Sequence, residues 1–452
     1  MTSPYRKLAN SSQGLIDRSI FSDETLYRQE MQQIFGHAWL FVGHVGQIPQ
    51  PFDYITSRMG ESSVIVSRDG DGQIHVMLNI CRHRGMKVCR YDSGNARSFT
   101  CPYHAWSYSV DSKLVARAGD LFGVPGYEEN YAGILDKSEW GLQRAKVEIY
   151  KGTIWATWDH EAPDLLTYLG DMVHYLDSAL HHRDGSDTES EVFVGVQKWR
   201  VPCNWKIGSE NFMGDYYHDV SHRSVDLANI GPGGASRRDN RETSMHRSTS
   251  VCFRGLGHAL VGTLPHFEEP EYLPKYPDNP VAMAYDREVY ERRVKNLGSG
   301  MRVITQAGAV FPNFAFHGMQ PRTLVVFHPV SPDEMEMWRI YLIDSDVPEE
   351  LRELLRRFYL RYSGPAGMTE SDDVENWVHA HHSSKNPVAQ GVPYNYQIGL
   401  GRTKPVEGLQ DAIDGGLVTE ENVRNFYDRW ADFLEGTPWE SPALRATQGG
   451  GD

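Results

Sequence analysis

The chain has 452 residues, and 60 acidic against 45 basic side chains give it a formal net charge of −15 at pH 7. This charge argues against nucleic acid or an anionic membrane as a partner, and the length predicts two domains, each with its own core. No apolar run approaches the roughly 20 residues that cross a bilayer, and the polar N-terminus does not resemble a signal peptide. Only five cysteines are present, which favours a reduced, cytoplasmic compartment.

The first part of the chain is predicted to hold a helix followed by a small β domain. Residues 19–36 carry an apolar stripe at helical spacing, and we assign residues 1–38 to an N-terminal helical part. Short β-runs fill residues 39–158, and residues 69–72, Asp-Gly-Asp-Gly, are a hairpin-turn signal between two of them.

The remainder of the chain, residues 159–452, is predicted to form a larger domain that mixes helices and strands. Residues 323–327 and 335–342 have the composition of strands, and Pro348 opens a segment with leucines at helical spacing. Residues 229–250 are rich in glycine and charged side chains, which predicts either a lid or a plain surface loop.

Two cysteine–histidine pairs form the most specific motif: Cys81 with His83, and Cys101 with His104. A structural zinc finger usually segregates its ligands into a cysteine pair and a histidine pair. One cysteine and one histidine on each side suit a Rieske-type [2Fe–2S] cluster, in which two thiolates hold one iron and two imidazoles hold the other. The alternatives are a zinc knuckle and two unrelated surface pairs. Cys89 lies between the pairs without a partner histidine, and we interpret it as a packing residue.

A second metal site is indicated further along the chain. His218 and His222 are four residues apart, which on a helix places both imidazoles on one face, and Asp215 lies three residues before His218 on that face. Two imidazoles and one carboxylate make a facial triad that binds Fe(II) and leaves positions open for O₂ and substrate. Such a histidine pair alone is more often a surface feature, but a cluster must deliver its electron somewhere, which favours the metal site.

Over nearly its whole length, the sequence resembles the large (α) subunits of Rieske non-haem iron aromatic-ring-hydroxylating dioxygenases. The resemblance rests on the two cysteine–histidine pairs and on Glu210-Asn211-x-x-Gly214-Asp215-x-Tyr217-His218. In that family the third iron ligand is an aspartate after a Gly-Pro-Ala-Gly turn, which matches residues 364–367 here. The resemblance therefore implies Asp373 as the ligand, with Asp372 as the alternative. His218 and His222 are separated by three residues where relatives commonly have four or five, which suggests a different pocket shape.

The resemblance implies an α+β fold, in which a small antiparallel β Rieske domain is inserted near the N-terminus of a larger α+β catalytic domain. The larger domain is expected to combine an antiparallel sheet with helices in a helix-grip-like arrangement. The implied cofactors are a Rieske [2Fe–2S] cluster, held by the two cysteine–histidine pairs, and a mononuclear Fe(II), held by His218, His222 and Asp373.

The resemblance also implies partners and a route for electrons. In the family the cluster of one subunit feeds the iron of its neighbour, and Asp215 would bridge them by hydrogen bonds to His104 of the adjacent chain and to its own His218. Asn211 is a further candidate close to the iron. Because no glycine-rich dinucleotide fingerprint is present, we expect a separate NADH-dependent reductase and a ferredoxin. A small β subunit is expected, in an α3β3 assembly.

Side chains near the iron motif predict an apolar pocket for an aromatic or polycyclic aromatic hydrocarbon, with a cis-dihydrodiol as product. The candidates are Phe212, Met213, Tyr216, Phe314 and Met368. Arg223, directly after His222, could instead pair with an aromatic carboxylate. The alternative functions are a Rieske dioxygenase or monooxygenase acting on an aromatic carboxylate and, more remotely, a zinc-binding protein without enzymatic activity.

Overall fold

The computed structural model describes residues 3–131, 133–180, 182–188, 190–230, 248–263, 279–297, 305–318 and 321–440. The chain divides into two compact units, and the small unit, Phe35–Leu165, is inserted between Met1–Ile34 and Leu166–Asp452 of the large unit. The insertion of a small β unit into a larger α+β unit is the predicted fold class, which is confirmed. Among the described residues, no helix is long and apolar enough to cross a membrane.

The small unit is built from three antiparallel sheets. Its strands are Leu40–His44, Asp53–Met59, Ser62–Arg68, Ile74–Leu78, Ser93–Asn95, Ser98–Thr100, Ser107–Ser109, Asp120–Gly123, Lys146–Tyr150 and Thr153–Thr157. Its helical turns are Val45–Gln47, Tyr127–Asn130 and Lys137–Glu139. The hairpin predicted over residues 69–72 joins two of the strands, and the Asp69 carboxylate closes it by accepting hydrogen bonds from the amides of Asp71 and Gln73 at 2.9 and 2.8 Å. One core cluster in this unit contains Cys81, Cys89 and Cys101.

The large unit is organised around a nine-stranded antiparallel sheet. In spatial order its strands are Ser190–Val201, Glu334–Asp344, Thr323–Ser331, Phe314–His317, Thr305–Val310, His258–Thr263, Ser248–Phe253, Ala412–Gly416 and Lys404–Pro405. A separate three-stranded sheet pairs Ala9–Asn10, Leu15–Ile16 and Tyr394–Asn395.

The large unit also contains α-helices, some of which pack on the large sheet. They are Pro4–Leu8, Glu24–Gln33, Leu165–Leu169, Val173–Leu180, Trp205–Phe212, Arg223–Ala228, Pro280–Leu297, Glu349–Tyr362, Met368–Ser384 and Glu421–Leu434, with 3-10 turns at Arg18–Phe21, Gly170–Met172 and Tyr216–His222. The single helix expected over residues 19–36 is broken, because the Asp23 side chain accepts a hydrogen bond from the Leu26 amide at 2.8 Å and caps a new helix. The loop predicted over residues 229–250 lies mostly outside the described residues, since 231–247 are not described.

The strand register shows which helices share a face of the sheet. Residues that are directly paired across strands point to the same face. Phe327 meets Phe212 at 5.7 Å and Trp377 at 6.1 Å between ring centroids, so the helices Trp205–Phe212 and Met368–Ser384 lie on one face. On the other face, Phe253 meets Tyr175 of the helix Val173–Leu180 at 6.0 Å.

Glu30 connects the N-terminal helical part to the rest of the large unit through hydrogen bonds. Its carboxylate is fully buried and accepts hydrogen bonds from Lys206 Nζ at 2.6 Å, Trp205 Nε1 at 3.1 Å and Trp430 Nε1 at 2.8 Å. Burial lowers the pKa of Lys206, and the charge of Glu30 opposes that shift. Removing one partner of such a pair leaves an uncompensated buried charge.

Substitution of Glu30 by alanine is therefore expected to lower the free energy of unfolding by about 3–5 kcal/mol. The matched control is Glu24→Ala on the same helix, because Glu24 forms an exposed pair with Arg28 at 2.8 Å. That control is expected to cost only about 0.3–0.5 kcal/mol. Urea unfolding of both variants measures the difference, and equal losses would show that the Glu30 cluster has no special role.

Candidate metal centres

The two cysteine–histidine pairs lie on two loops of the small unit that share one backbone geometry. In the first loop the Cys81 amide donates to the carbonyl of Met86 at 2.8 Å, and the Gly85 amide donates to the carbonyl of Cys81 at 2.9 Å. In the second loop the amides of Cys101 and Ala105 make the matching bonds at 2.8 and 3.0 Å. Gly85 and Ala105 hold equivalent positions, and both have left-handed φ angles, +73° and +58°. The two loops therefore place their cysteines at equivalent positions, whereas His83 is the second residue after its cysteine and His104 is the third.

The four side chains are placed as a two-sulfur, two-nitrogen site. The thiols of Cys81 and Cys101 are buried, the imidazoles of His83 and His104 are half-buried, and the two imidazole centroids are 4.5 Å apart. The ring of Trp106 stacks on His83 at 5.0 Å, which holds that ring in place. The buried Nδ1 atom of His83 has no hydrogen-bond partner among the described residues. A metal bond would satisfy that nitrogen, so these residues fit a Rieske cluster.

The electrostatics of the imidazoles are consistent with that fit. Partial burial, the His83 ring and the Arg84 guanidinium lower the pKa of His104, which favours the neutral imidazole that a metal requires. Burial also raises the pKa of the Cys101 thiol, and the neighbouring Cys81 adds to the shift. Two thiols in such an environment become thiolates when a metal compensates their charge.

Tyr108 contacts one of the candidate sulfur ligands. Its hydroxyl is buried, lies 3.3 Å from Cys81 Sγ and accepts a hydrogen bond from the Arg82 amide at 3.0 Å. With that amide as donor, the hydroxyl proton is directed to the sulfur. Burial raises the pKa of Tyr108, so the hydroxyl keeps its proton. Hydrogen bonds to cluster sulfurs raise the reduction potential, because they stabilise the more negative reduced state.

Substitution of Tyr108 by phenylalanine is expected to lower the reduction potential of the cluster. Loss of a net hydrogen bond of about 1 kcal/mol corresponds to roughly 40 mV for a one-electron couple. A redox titration followed by electron paramagnetic resonance measures the shift. The control is Tyr54→Phe, because the Tyr54 hydroxyl bonds to Cys89, which is not a candidate ligand. Equal potentials for Tyr108→Phe and the wild type would exclude the hydrogen bond.

In the large unit, His218, His222 and Asp373 come together as a group able to hold a metal ion. His218 Nε2 and His222 Nε2 are 3.0 Å apart, and each is 3.3 Å from Asp373 Oδ1. Neighbouring ligands of an octahedral ion with bonds of roughly 2.1 Å stand roughly 3 Å apart. The three atoms therefore have the separations of ligands that occupy one side of a metal ion.

Outer contacts orient both imidazoles. His218 Nδ1 donates to the main-chain carbonyl of Asp215, and the Asp215 carboxylate lies 3.7 Å from the same nitrogen. His222 Nδ1 lies 3.5 Å from the carboxylate of Asp372, which also accepts a hydrogen bond from Ser224 at 2.7 Å. In both rings Nδ1 is directed to an oxygen, and Nε2 is directed to the point between His218, His222 and Asp373 where a metal ion would lie. This is the usual arrangement of metal-bound histidine.

The segment of the two histidines differs from the expected α-helix. Tyr216–His222 is a 3-10 helix, yet the imidazole centroids of His218 and His222 are only 4.9 Å apart. Gly214 lies two residues before it with a φ of +141°, and a Cβ there would lie 2.5 Å from the side-chain nitrogen of Asn422. The positive φ, together with this close approach, favours glycine at the point where the chain leaves the helix Trp205–Phe212.

Carboxylates near His218 favour a positive charge on its imidazole. Burial lowers the pKa of His218, but the carboxylates of Asp215 and Asp373 outweigh that effect and raise the pKa to about 10. A site that favours a positive charge on an imidazole also favours a bound cation, which displaces the proton. The donor set, two imidazoles and a carboxylate, suits Fe(II).

Three of the five predicted pocket residues lie on the segment that leads to the histidines. Phe212 is buried against Phe327, and Tyr216 is half-buried. Met213 is fully buried, and its carbonyl accepts a hydrogen bond from the Asn422 side chain. Asn211 is half-buried in the last turn of the helix that ends at Phe212.

The other two pocket candidates are placed differently from these three. Phe314 is paired with Val326, and by the register it faces away from the side on which Phe327 meets Phe212. Met368 is the partly exposed first residue of its helix. Arg223, the candidate carboxylate anchor, is exposed.

From the sequence alone, no role was assigned to Glu370 and Glu210, two acidic residues that lie on the helices leading to the candidate ligands. Glu370, one turn before Asp373, is buried and pairs with Arg339 of the sheet. Glu210 accepts a hydrogen bond from the Tyr396 hydroxyl at 2.9 Å and another from the Tyr427 hydroxyl. Burial and the Asp215 charge raise the pKa of Glu210 to about 7, although both tyrosines oppose the shift. The spacing of Glu370 from Asp373 was a usable signal, whereas the partners of Glu210 are about 200 residues away.

Two family models match the chain. Residues 38–121 match the Rieske [2Fe-2S] domain, and residues 176–436 match the ring hydroxylating alpha subunit, catalytic domain. The matched regions contain both sets of candidate ligands.

Named relatives and solved structures agree with those matches. The chain is 37% identical to the chlorobenzene dioxygenase subunit alpha of Cupriavidus sp. (strain PS12) over 96% of this chain and 94% of that protein. It is 37% identical to the biphenyl 2,3-dioxygenase subunit alpha of Rhodococcus jostii (strain RHA1) over 98% of this chain and 93% of that protein. The structure superposes on naphthalene 1,2-dioxygenase from Rhodococcus sp. bound to indole with a TM-score of 0.77 and 31% identity, covering 97% and 98% of the two chains.

Proposed function

This chain belongs to the ring-hydroxylating dioxygenase alpha subunits, which are Rieske non-haem iron oxygenases, and from that premise we propose that it adds both atoms of O₂ to a neutral aromatic ring. The product would be a cis-dihydrodiol. The observation that carries the proposal is the meeting of His218, His222 and Asp373 around one position, in a chain that also has both cysteine–histidine loops.

We assign the residues as follows. His218, His222 and Asp373 would hold Fe(II), and the cluster would be held by the two cysteine–histidine pairs. When bound, the cluster supplies electrons singly and the iron supplies the position at which O₂ is reduced. Asp373 is favoured over Asp372 because its Oδ1 faces the Nε2 atoms of both histidines, whereas Asp372 faces the Nδ1 side of His222.

Asp215 and Asn211 have supporting roles in this proposal. Asp215 would keep the tautomer and orientation of His218 through Nδ1, and its partly exposed carboxylate would accept a hydrogen bond from His104 of an adjacent copy. Asn211, half-buried beside Phe212, would lie near the iron without binding it.

A neutral substrate is favoured by the positions of the nearby cations. Arg223 is exposed, and Arg339, whose guanidinium carbon lies 5.8 Å from the centre of the Phe212 ring, is paired with Glu370. A substrate carboxylate would have to compete with that buried pair. The buried contact of Phe212 with Phe327 offers apolar surface instead, and the named relatives are dioxygenases of chlorobenzene and biphenyl.

The partners follow from the reaction. Formation of a dihydrodiol from O₂ needs two electrons, and this sequence has no dinucleotide fingerprint, so NADH would be oxidised by a separate reductase and the electrons carried by a ferredoxin. The relatives are called alpha subunits, which supports a small β subunit and an α3β3 assembly.

Turnover in a reconstituted system tests the proposal. The purified oxygenase, a ferredoxin and a reductase are supplied with NADH and ¹⁸O₂, and biphenyl and naphthalene are compared with benzoate and naphthoate by mass spectrometry. A neutral substrate that gains two labelled oxygens and two hydrogens is the expected result. Gain of one labelled oxygen would identify a monooxygenase, and turnover of the acids alone would contradict the neutral pocket.

A further inference from the structure

One buried ion pair connects the iron-ligand helix to the central sheet. Glu370 lies in the first turn of the helix Met368–Ser384, and its carboxylate accepts hydrogen bonds from Arg339 of the strand Glu334–Asp344 and from the Gly364 amide at 3.3 Å. Both side chains of the pair are 4% exposed. Arg339 also donates to the Thr323 hydroxyl of the adjacent strand at 2.8 Å. The pair therefore joins the start of the helix to two neighbouring strands.

Because Glu370 is bonded to the sheet and lies on the same helix as Asp373, it links the position of Asp373 to the sheet. The two residues are three apart in an α-helix and lie on neighbouring parts of the same face. The other side-chain bonds of this turn are local, since Thr369 donates to the Tyr362 carbonyl and Ser371 to the Gly367 carbonyl. The helix has no side-chain cap at Gly367. Among these bonds, only the Arg339–Glu370 pair reaches the sheet.

Stability alone does not explain a buried ion pair at this place. The loss of hydration offsets much of the attraction between the charges, and apolar residues of similar volume often stabilise a fold equally well. Here Glu370 Oε1 and Arg339 Nε have no hydrogen-bond partner among the described residues, so the pair is not fully compensated. Such a pair can instead define one arrangement of the elements that it joins.

We propose that Arg339 and Glu370 are positioning residues for the iron site. They fix the first turn of the helix Met368–Ser384 at the position on the sheet at which Asp373 Oδ1 lies close to both imidazoles. Because that position determines the geometry of the three ligands, the pair sets the affinity for Fe(II). This inference rests on the proposed assignment of His218, His222 and Asp373 as the iron ligands. Without the pair, the helix can shift on the sheet while the fold remains intact.

The test compares Fe(II) affinity with fold stability in the double variant Arg339→Met/Glu370→Leu. Iron is removed from the purified oxygenase, and Fe(II) is titrated back under anaerobic conditions in competition with a chelator. We expect the Kd for Fe(II) to rise by about 10–100-fold, the range found when outer contacts of a metal site are lost. The thermal midpoint is expected to stay at or above that of the wild type, and the cluster spectrum to stay unchanged.

Two further variants separate positioning from local packing. Thr369→Val removes a buried bond of the same turn that does not reach the sheet, and its Kd is expected to stay within about twofold of wild type, since only remote outer contacts change. Arg339→Lys keeps a cation opposite Glu370 and is expected to lie between the double variant and the wild type. The electron paramagnetic resonance spectrum of the Fe(II)–nitric oxide complex is expected to change only where the Kd changes.

An unchanged Kd in the folded double variant would overturn the inference. If that variant does not fold, Glu370→Gln, which keeps the shape and removes the charge, takes its place with the same criterion. Failure of the iron assignment itself would be seen differently. In that case the wild type would bind no stoichiometric Fe(II), or His222→Ala would bind it as well as the wild type does.

Discussion

Substitution of Asp373 by alanine is expected to remove Fe(II) from the oxygenase and to leave the [2Fe–2S] cluster in place. Asp373 Oδ1 lies 3.3 Å from the Nε2 atoms of both His218 and His222, so its loss leaves two neutral imidazoles and no ligand charge. Turnover is expected to fall by more than about 100-fold, beyond the effect of losing an outer contact. Iron analysis, the visible spectrum of the cluster and product formation measure the three effects separately.

The neighbouring aspartate supplies the matched control. Asp372→Asn keeps the shape of the side chain and can retain the bond with Ser224, while it loses the charge near His222 Nδ1. We expect this variant to keep its iron, with an affinity lowered by about tenfold at most. If Asp372→Asn lost the iron and Asp373→Ala kept it, the ligand assignment would be reversed.

Substitution of Asp215 by alanine is expected to lower turnover strongly while cluster and iron are both retained. The Asp215 carboxylate lies 3.7 Å from His218 Nδ1 and is partly exposed, and in the role proposed above it would also accept a hydrogen bond from His104 of an adjacent copy. His218 Nδ1 keeps its bond to the main-chain carbonyl of residue 215, which alanine also has. We therefore expect iron content near that of the wild type and turnover lowered by about 100-fold.

Single-turnover measurements identify the step that is affected. With the cluster reduced in advance, O₂ and substrate are added, and oxidation of the cluster is followed by its colour. In Asp215→Ala the cluster is expected to stay reduced, whereas Asp215→Asn, which keeps a hydrogen-bond acceptor, should show slower but measurable oxidation. Cluster oxidation at the wild-type rate in Asp215→Ala would exclude a role for this carboxylate between the two centres.

The sequence was informative where a function depends on residues close together in the chain. The spacing of each cysteine–histidine pair results from a single tight loop, and the structure shows the two loops with the same bonds. The insertion of the β unit was implied by the family resemblance, and the change to short β-runs after the N-terminal helix indicated a β domain there. The prediction of a single helix over residues 19–36 was wrong, because Asp23 caps a new helix within this segment.

Local sequence patterns did not predict features that depend on contacts between distant parts of the chain, and the tertiary structure shows them. Local spacing cannot separate Asp372 from Asp373, and before the structure only the family resemblance favoured Asp373. The packing of their helix against Tyr216–His222 places Asp373 Oδ1 near the Nε2 atoms of both histidines and Asp372 near Nδ1 of His222. The face occupied by Phe314 depends on strand register, and a shift by one residue would reverse it.

The sequence by itself determined the family, the two kinds of metal site and most of the candidate ligands, because ligand type and local spacing carry that chemistry. Only the tertiary structure decided which carboxylate faces both imidazoles, and it revealed the Arg339–Glu370 pair that ties this helix to the sheet. The physical reason is that the direction of a side chain depends on how its helix or strand packs, and that packing is set by residues far away in the sequence.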